Sequence, residues 1–307
     1  MSMCQIVWSL LLVFLLGINS VVAFAKPVEI TLMMFEGGYG SDWVVRSAEV
    51  YMEQNPDIKI NVIASPDIQR QLQPRVLAGN VPDIINPGPN FDVLSMIGAG
   101  EIASINEYLN TPSYQGTEDW IDVFTAAQFS LEMDGEYYGI PVLFSAGYMW
   151  WYDAKLFRDN DWDVPRNWDE LYELRDKAGE QGISVFALAG MVPDYTCYGA
   201  YLPLVTRMGG IEALEDGFNL VPGAWKSEPY LEAAREIVRM GEEGLYMPRT
   251  MGLSHIEAQT QFFQRNALFA MAGTWLEGEM QDVIPEDFEL SALNQPAWED
   301  GPADSQL

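Results

Sequence analysis

The chain switches repeatedly between short apolar runs and apolar residues at helical spacing. Glu29-Ile30-Thr31-Leu32-Met33-Met34-Phe35 is a mostly apolar run of the kind a buried parallel strand needs. It ends in the flexible turn Glu36-Gly37-Gly38-Tyr39-Gly40. Val44, Val45, Ala48, Tyr51 and Met52 then recur at helical spacing, and Asn55-Pro56-Asp57 breaks that helix before a second strand, Ile58 to Ala64. This is a β-α-β unit, whose right-handed crossover makes the strands parallel neighbours. A helix from about Gln69 to Ala78 and a third strand at Asp83-Ile84-Ile85 follow, and the chain opens into Asn86-Pro87-Gly88-Pro89-Asn90. Ligands of open α/β sheets sit at the carboxyl ends of the strands. Glu36, Tyr39 and Trp43 after the first strand, and Asn90 and Asp92 after the third, are therefore candidate ligand contacts, each competing with a plain solvated-loop role.

Asp134-Gly135 is a hairpin-type turn signal. Beyond it, Val142 to Tyr152 reads as an extended segment long enough to cross from one lobe to another, with Ser145 in reach of a ligand at the crossing. Trp150, Trp151 and Tyr152 alternate faces on such a strand, so at most one or two of them reach a cleft and the rest are core. Asn167 with Glu170 three residues on resembles a capping box for a helix through Leu171, Leu174 and Ala178. Another helix carries Tyr230, Leu231, Ala234, Ile237 and Val238 and closes at Gly244. Ser254 and Glu257 form an S-x-x-E capping box, and that helix ends near Arg265, before an apolar strand from Ala267 to Met271. Tyr195, Tyr198 and Tyr201 fall on one helical face that either packs on a second lobe or lines a cleft; Tyr195, nearest the preceding loop, is the candidate contact.

The first 25 residues carry no Asp, Glu, Lys or Arg and hold an apolar run from Ile6 to Leu16 ahead of Ala23-Phe24-Ala25. That pattern predicts a signal peptide cut after Ala25 and export to the periplasm or beyond. A membrane anchor would need about 20 apolar residues. Cys4 leaves with the signal, so Cys197 is the single remaining thiol and no internal disulfide is expected. With His255 the only histidine, a zinc site of soft ligands is not expected, and neither is another cofactor. His255 itself, at a helix start, reads as a solvated surface residue. The net charge of −29 excludes nucleic acid and anionic membrane as natural partners. The length after Ala25 favours two lobes over one.

Several of these pieces, in order, resemble the family 1 extracellular solute-binding proteins, the maltose-binding-protein-like receptors of ABC importers. The most specific is Phe262 to Trp275, similar to the family's F-x-x-G-x-A-A-M-x-x-x-G-x-W segment, with Asn266 in place of the glycine and Leu268 in place of the second alanine. Asp134 to Pro141, followed by Trp151-Tyr152-Asp153-Ala154-Lys155-Leu156-Phe157, resembles the hinge crossing and its Y-N-K-x-L-F continuation, with Asp153 where the family usually has Asn. Pro82-Asp83-Ile84 and Gly98-Ala99-Gly100-Glu101-Ile102 fit two weaker elements. The resemblance implies an α/β, two-lobe periplasmic-binding-protein-like fold joined by hinge strands and closing on its ligand. Lobe 1 would span 26–143, completed in part by 289–307, and lobe 2 144–288. It implies a sugar or similar polar solute as ligand, permease subunits of an importer as partners, a monomeric state and no catalysis. It gives Trp275, after Gly273, the role of a platform for a sugar face, a role its ring would not have if it were core.

Glu289 to Pro296 resembles the strand that returns to the first lobe, and only 297–307 follow it, so the C-terminal helices common in the family are expected to be missing, as in a truncated product. Two rival readings stay open. One is an exported glycoside hydrolase, since 45 acidic residues could supply a carboxylate pair. The other is a non-functional remnant.

Overall fold

The computed structural model of the protein describes residues 26–88, 91–124, 131–142, 147–299 and 301–302. Their contacts divide into two compact units, one holding the described residues up to Glu36 and Gly40–Phe91, the other Gly37–Tyr39 and those from Asp92 onward.

The first unit begins with β1 (Val28–Phe35), α1 (Asp42–Gln54) and β2 (Ile58–Ser65), then α2 (Ile68–Leu77) and β3 (Ile84–Asn86). Both β2 and β3 pair in parallel with β1, giving the order β2-β1-β3, as the right-handed β-α-β reading requires. The apolar run of β1 buries Met33 and Met34 completely or nearly so. Met33 packs with Ile68 and Leu72 of α2, and Phe35, Ile63 and Ile85 close the same cluster. Burying each such side chain contributes about 1.5–3 kcal/mol.

The second unit opens with α3 (Val93–Gly98) and the two-residue strands β4 (Glu132–Met133) and β5 (Glu136–Tyr137). Asp134 and Gly135 between them have φ of 55° and 80°, the left-handed pair that a two-residue hairpin turn demands. Next come β6 (Met149–Asp153), α4 (Ala154–Asp159), α5 (Trp168–Gly179), β7 (Ser184–Phe186), the short α6 (Asp194–Thr196) and a π-helical turn, Cys197–Tyr201. Among the elements that follow are α7 (Leu202–Phe218), α8 (Glu228–Glu242), α9 (His255–Phe263), β8 (Ala267–Ala272), α10 (Leu276–Met280) and β9 (Leu290–Leu293).

The sheet of this unit runs β7-β8-β6-β9, with β7 and β8 parallel and β6 antiparallel to both its neighbours. Every residue of β8 is buried, the outcome its unbroken apolar run predicts. The strand foreseen from Glu289 to Pro296 forms over Leu290–Leu293, but it pairs with β6 in this sheet rather than beside β1. The alternation in β6 is strict. Trp150 is fully buried against Phe186, Phe269 and Trp168, while Trp151 joins Phe262, Phe263 and Phe288 on the opposite face.

Caps set the helix ends near the site. Ser254 and Glu257 close the reciprocal capping box of α9. At α5 the Asn167 side chain accepts from the Glu170 N–H, but the Glu170 carboxylate takes the Arg166 N–H instead of returning to Asn167, so the expected box is only half made. Among the described residues no helix is long and apolar enough to cross a membrane, and no three His, Cys, Asp or Glu gather where they could hold a metal ion.

Candidate functional site

In the first unit the candidate residues stand at the carboxyl edge of the sheet. Glu36 leaves the end of β1, and its Oε1 accepts the Ser41 hydroxyl at 2.5 Å. Trp43, on the first turn of α1, is half-buried. The loop after β3 leaves the same edge, because Gly88 lies against the Phe35 ring where a Cβ would come within 2.4 Å of it. Asn90 lies outside the described residues, as does Ser145.

In the second unit Trp275 meets a set of tyrosines. β8 ends at Ala272, and Gly273 lets the chain fold so tightly that a Cβ there would sit 2.1 Å from the Trp275 ring. Trp275 is the N-cap residue of α10 and is half-buried. Tyr148 meets it edge-on at 5.2 Å between centroids and Tyr195 at 6.3 Å, both close to perpendicular, the arrangement aromatic quadrupoles favour. Tyr198 stacks on Tyr148 at 5.6 Å. Tyr39 arrives from the glycine-rich turn, its hydroxyl 2.5 Å from Thr274 Oγ1. Only glycines permit that approach: a Cβ on Gly38 would lie 2.5 Å from the Trp275 carbonyl oxygen, and one on Gly278 2.3 Å from the Gly38 carbonyl oxygen.

Polar groups border this set. His255, the first residue of α9, stacks on Tyr195 at 5.9 Å, and its Nε2 is 3.5 Å from Glu279 Oε1. It is thus a partner in the cluster, while its side chain stays 36% exposed. The Tyr195 hydroxyl is pushed up to about 12, first by burial and then by the Glu279 charge, while donors on Trp275 and Gln259 act in the opposite sense. Burial raises Tyr148 as well, with Tyr195 and Asp194 adding to it. At physiological pH these rings are neutral hydroxyl donors beside an apolar face, the chemistry a polar, uncharged ligand meets.

The structure brings Tyr39, Tyr195 and Trp275 together within one unit. Asp92 has another task there: its carboxylate caps α3, accepting the Ser95 N–H at 3.0 Å and the Ser95 hydroxyl at 2.5 Å, and the Ser95 bonds hold its pKa below the usual range. Tyr201 departs from the expected shared face. The π turn widens the helix between Cys197 and Tyr201, so Tyr195 and Tyr198 meet Tyr148 while Tyr201 packs on Tyr230. Tyr148, Gln259 and Glu279 escaped the sequence reading, which took His255 for a surface residue alone. The capping box at Ser254 did hold a signal for His255 and Gln259, since it puts them one turn apart on one helix face.

The family model described as bacterial extracellular solute-binding protein matches residues 38–303. The chain belongs to that family. It is similar to the diacetylchitobiose binding protein NgcE of Streptomyces coelicolor, 26% identical over 93% of this chain and 61% of the relative. It is also similar to the multiple sugar-binding protein of Streptococcus mutans, 24% identical over 82% of this chain and 58% of the relative. The chain therefore spans about three fifths of the length of these curated relatives. Among solved structures, one from work on xylan utilization by the thermophilic bacterium Caldanaerobius polysaccharolyticus superposes with a TM-score of 0.73, at 20% identity, over 91% of this chain and 70% of that one. A chitin oligosaccharide binding protein gives a TM-score of 0.68 at 21% identity over 89% and 68%. The two α/β units thus carry the fold of these solute-binding proteins.

Proposed function

We propose that this chain is an extracytoplasmic receptor that captures a carbohydrate and delivers it to the permease subunits of an ABC importer, without transforming it. The observation that supports it is the half-exposed Trp275 ring, held edge-on by Tyr148 and Tyr195 and bordered by the Tyr39 and Thr274 hydroxyls. A sugar offers C–H patches to such a face and hydroxyls to such a rim. The sugar-binding relatives agree with that chemistry. Tyr39, Tyr195 and Trp275 are the contacts this reading assigns in the second unit; Glu36 and Trp43 remain candidate contacts of the first unit, taken by itself. Export through the signal ending at Ala25 belongs to the same reading, and mass spectrometry of the exported protein should find Lys26 as its first residue; an intact Met1 would contradict it.

Calorimetry and thermal unfolding against a panel of mono- and disaccharides test the receptor reading. Saturable binding of an intact sugar with a raised unfolding temperature is expected. Release of reducing ends from the same panel would make the protein a hydrolase instead.

A further inference from the structure

Glu279 stands one turn beyond Trp275 on α10, its N–H donating to the Trp275 carbonyl oxygen at 2.9 Å. Its side chain is 18% exposed, and Oε2 is buried with no hydrogen-bond partner among the described residues. The Gly38 backbone covers it from one side, since a Cβ there would come within 2.9 Å of the Glu279 Cβ. A carboxylate drawn this far out of water is stabilised by a positive neighbour. Among the described residues the one basic side chain beside it is His255, whose Nε2 lies 3.5 Å from Oε1.

His255 is the only histidine of the chain, and histidine is the side chain that ordinarily changes charge between about pH 5 and 8. Two elements bring titratable groups to face it: α6 with Tyr195, stacked on the imidazole at 5.9 Å, and α10 with Glu279. Asp194, beside Tyr195, acts on Tyr148. On the same helix as His255, Glu257 is turned back onto Ser254. The other residues lining the recess beside the imidazole, Thr196 and Gln259 among them, are uncharged. Tyr195, held up to about 12, keeps its proton throughout this range. The imidazole therefore answers to one carboxylate, against the partial positive charge of the amino end of α9.

We propose that sugar capture at this site is linked to proton uptake by the pair His255 and Glu279, so that the receptor binds more tightly in mild acid than at alkaline pH. The inference rests on the carbohydrate reading above and adds a regulation to the same site. A sugar lying on Trp275 and Tyr195 displaces water from beside the pair and needs no contact with Glu279 itself. With a neutral imidazole, that water is what remains of the solvation of the Glu279 charge, and its loss opposes binding. With a protonated imidazole the two charges offset each other, and the same loss costs less. The complex thus favours the protonated histidine. A proton taken up on binding means that affinity is gained as pH falls through the histidine titration and is level above it.

The test is calorimetry at about pH 5.5, 7 and 8 with glucose, galactose, xylose, maltose and cellobiose, repeated at neutral pH in phosphate and in Tris, whose different heats of ionisation reveal protons exchanged with the buffer. For whichever sugar binds, affinity should be about fivefold or more greater at the lowest pH than at the highest, with net proton uptake at neutral pH. His255→Gln, which takes no proton in this range, should flatten the profile to within about twofold near the alkaline affinity. Glu279→Gln, which removes the charge, should flatten it near the acid affinity instead, a difference that a purely structural role would not produce. Either variant decides alone if the other does not fold, and the buffer comparison on the wild-type protein decides if neither does. A level profile without proton uptake, affinity that rises with pH, or a dependence that survives both substitutions overturns the inference while the sugar receptor stands. Binding of none of these sugars or of the wider panel overturns both.

Discussion

Asp153 Oδ2 lies 2.7 Å from Arg265 Nε, and this carboxylate, 1% exposed, ties together three separated parts of the second unit. Its Oδ1 accepts the N–H of Lys155 at 3.0 Å and of Glu289 at 3.1 Å, while the Arg265 guanidinium reaches on to Asp287. The start of α4, the turn before β8 and the entry to β9 are thereby fixed by one side chain. Asp153→Ala should cost about 3 kcal/mol in urea unfolding, because the arginine, 28% exposed, and two amides lose their partner. Asp153→Asn keeps an oxygen for the two amides and should cost less, about 1 kcal/mol. Equal losses for the two variants would mean that the charge and not the amide pairing carries the effect.

Arg265 holds its place at φ 61°, a left-handed conformation that glycine adopts freely. The ion pair with Asp153 compensates for that strain. Arg265→Gly should therefore unfold at higher urea than Arg265→Ala, by about 1 kcal/mol, since both lose the pair but only the alanine keeps the strain. An alanine variant as stable as the glycine one would remove the backbone from the explanation.

Trp275→Ala should abolish or weaken sugar binding by more than tenfold while leaving the unfolding transition cooperative, because the ring is half-buried and its removal opens only the edge of the cluster. Gly273→Ala should act on the same ring indirectly, since the new Cβ would meet it at 2.1 Å. A shift in tryptophan emission with reduced affinity is the expected signature. Calorimetry showing wild-type affinity in both variants would assign the ring to packing alone.

Burial holds Tyr195 up to about 12 and raises Tyr148, Tyr172 and Tyr246 further. A raised folded-state pKa stabilises the protonated form, so this contribution is complete below pH about 10, where unfolded tyrosine titrates, and is lost as pH climbs from there through the folded values. Stability should fall above pH about 10, and phenolate absorbance should show these rings ionising late, together with unfolding. Replacing Tyr195 by Phe should soften that alkaline fall. A smooth titration of all tyrosines near pH 10 in the folded protein would contradict the burial.

Ser254→Ala removes the hydroxyl that accepts the Glu257 N–H, leaves the backbone N–H of residue 254 donating to the Glu257 carboxylate, and should cost about 1 kcal/mol. Because His255 and Gln259 follow directly, fraying there should also loosen the Tyr195 contact. Hydrogen exchange of the first turn of α9 would report it, and unchanged protection would show the helix start to be held by packing instead.

The order β1-α1-β2-α2-β3, the buried strand β8, the Asp134-Gly135 hairpin and the α9 cap were legible in the residues because each is set by local rules: apolar period, turn φ and side-chain capping act within a few positions. The Gly273-x-Trp275 spacing was legible only through its resemblance to the family segment. What the chain alone did not decide was which distant side chains share a site. Tyr39 and Thr274 stand far apart in sequence and meet through hydroxyls, and that meeting depends on Gly38 and Gly278 letting two backbones touch. Asp92 looked free for a ligand but is taken by its own helix. The π turn rotated Tyr201 away from its neighbours, and β9 joined β6 rather than the first sheet. Long-range pairings of this kind are chosen by the burial of whole faces against one another, a quantity that exists only once the chain is packed.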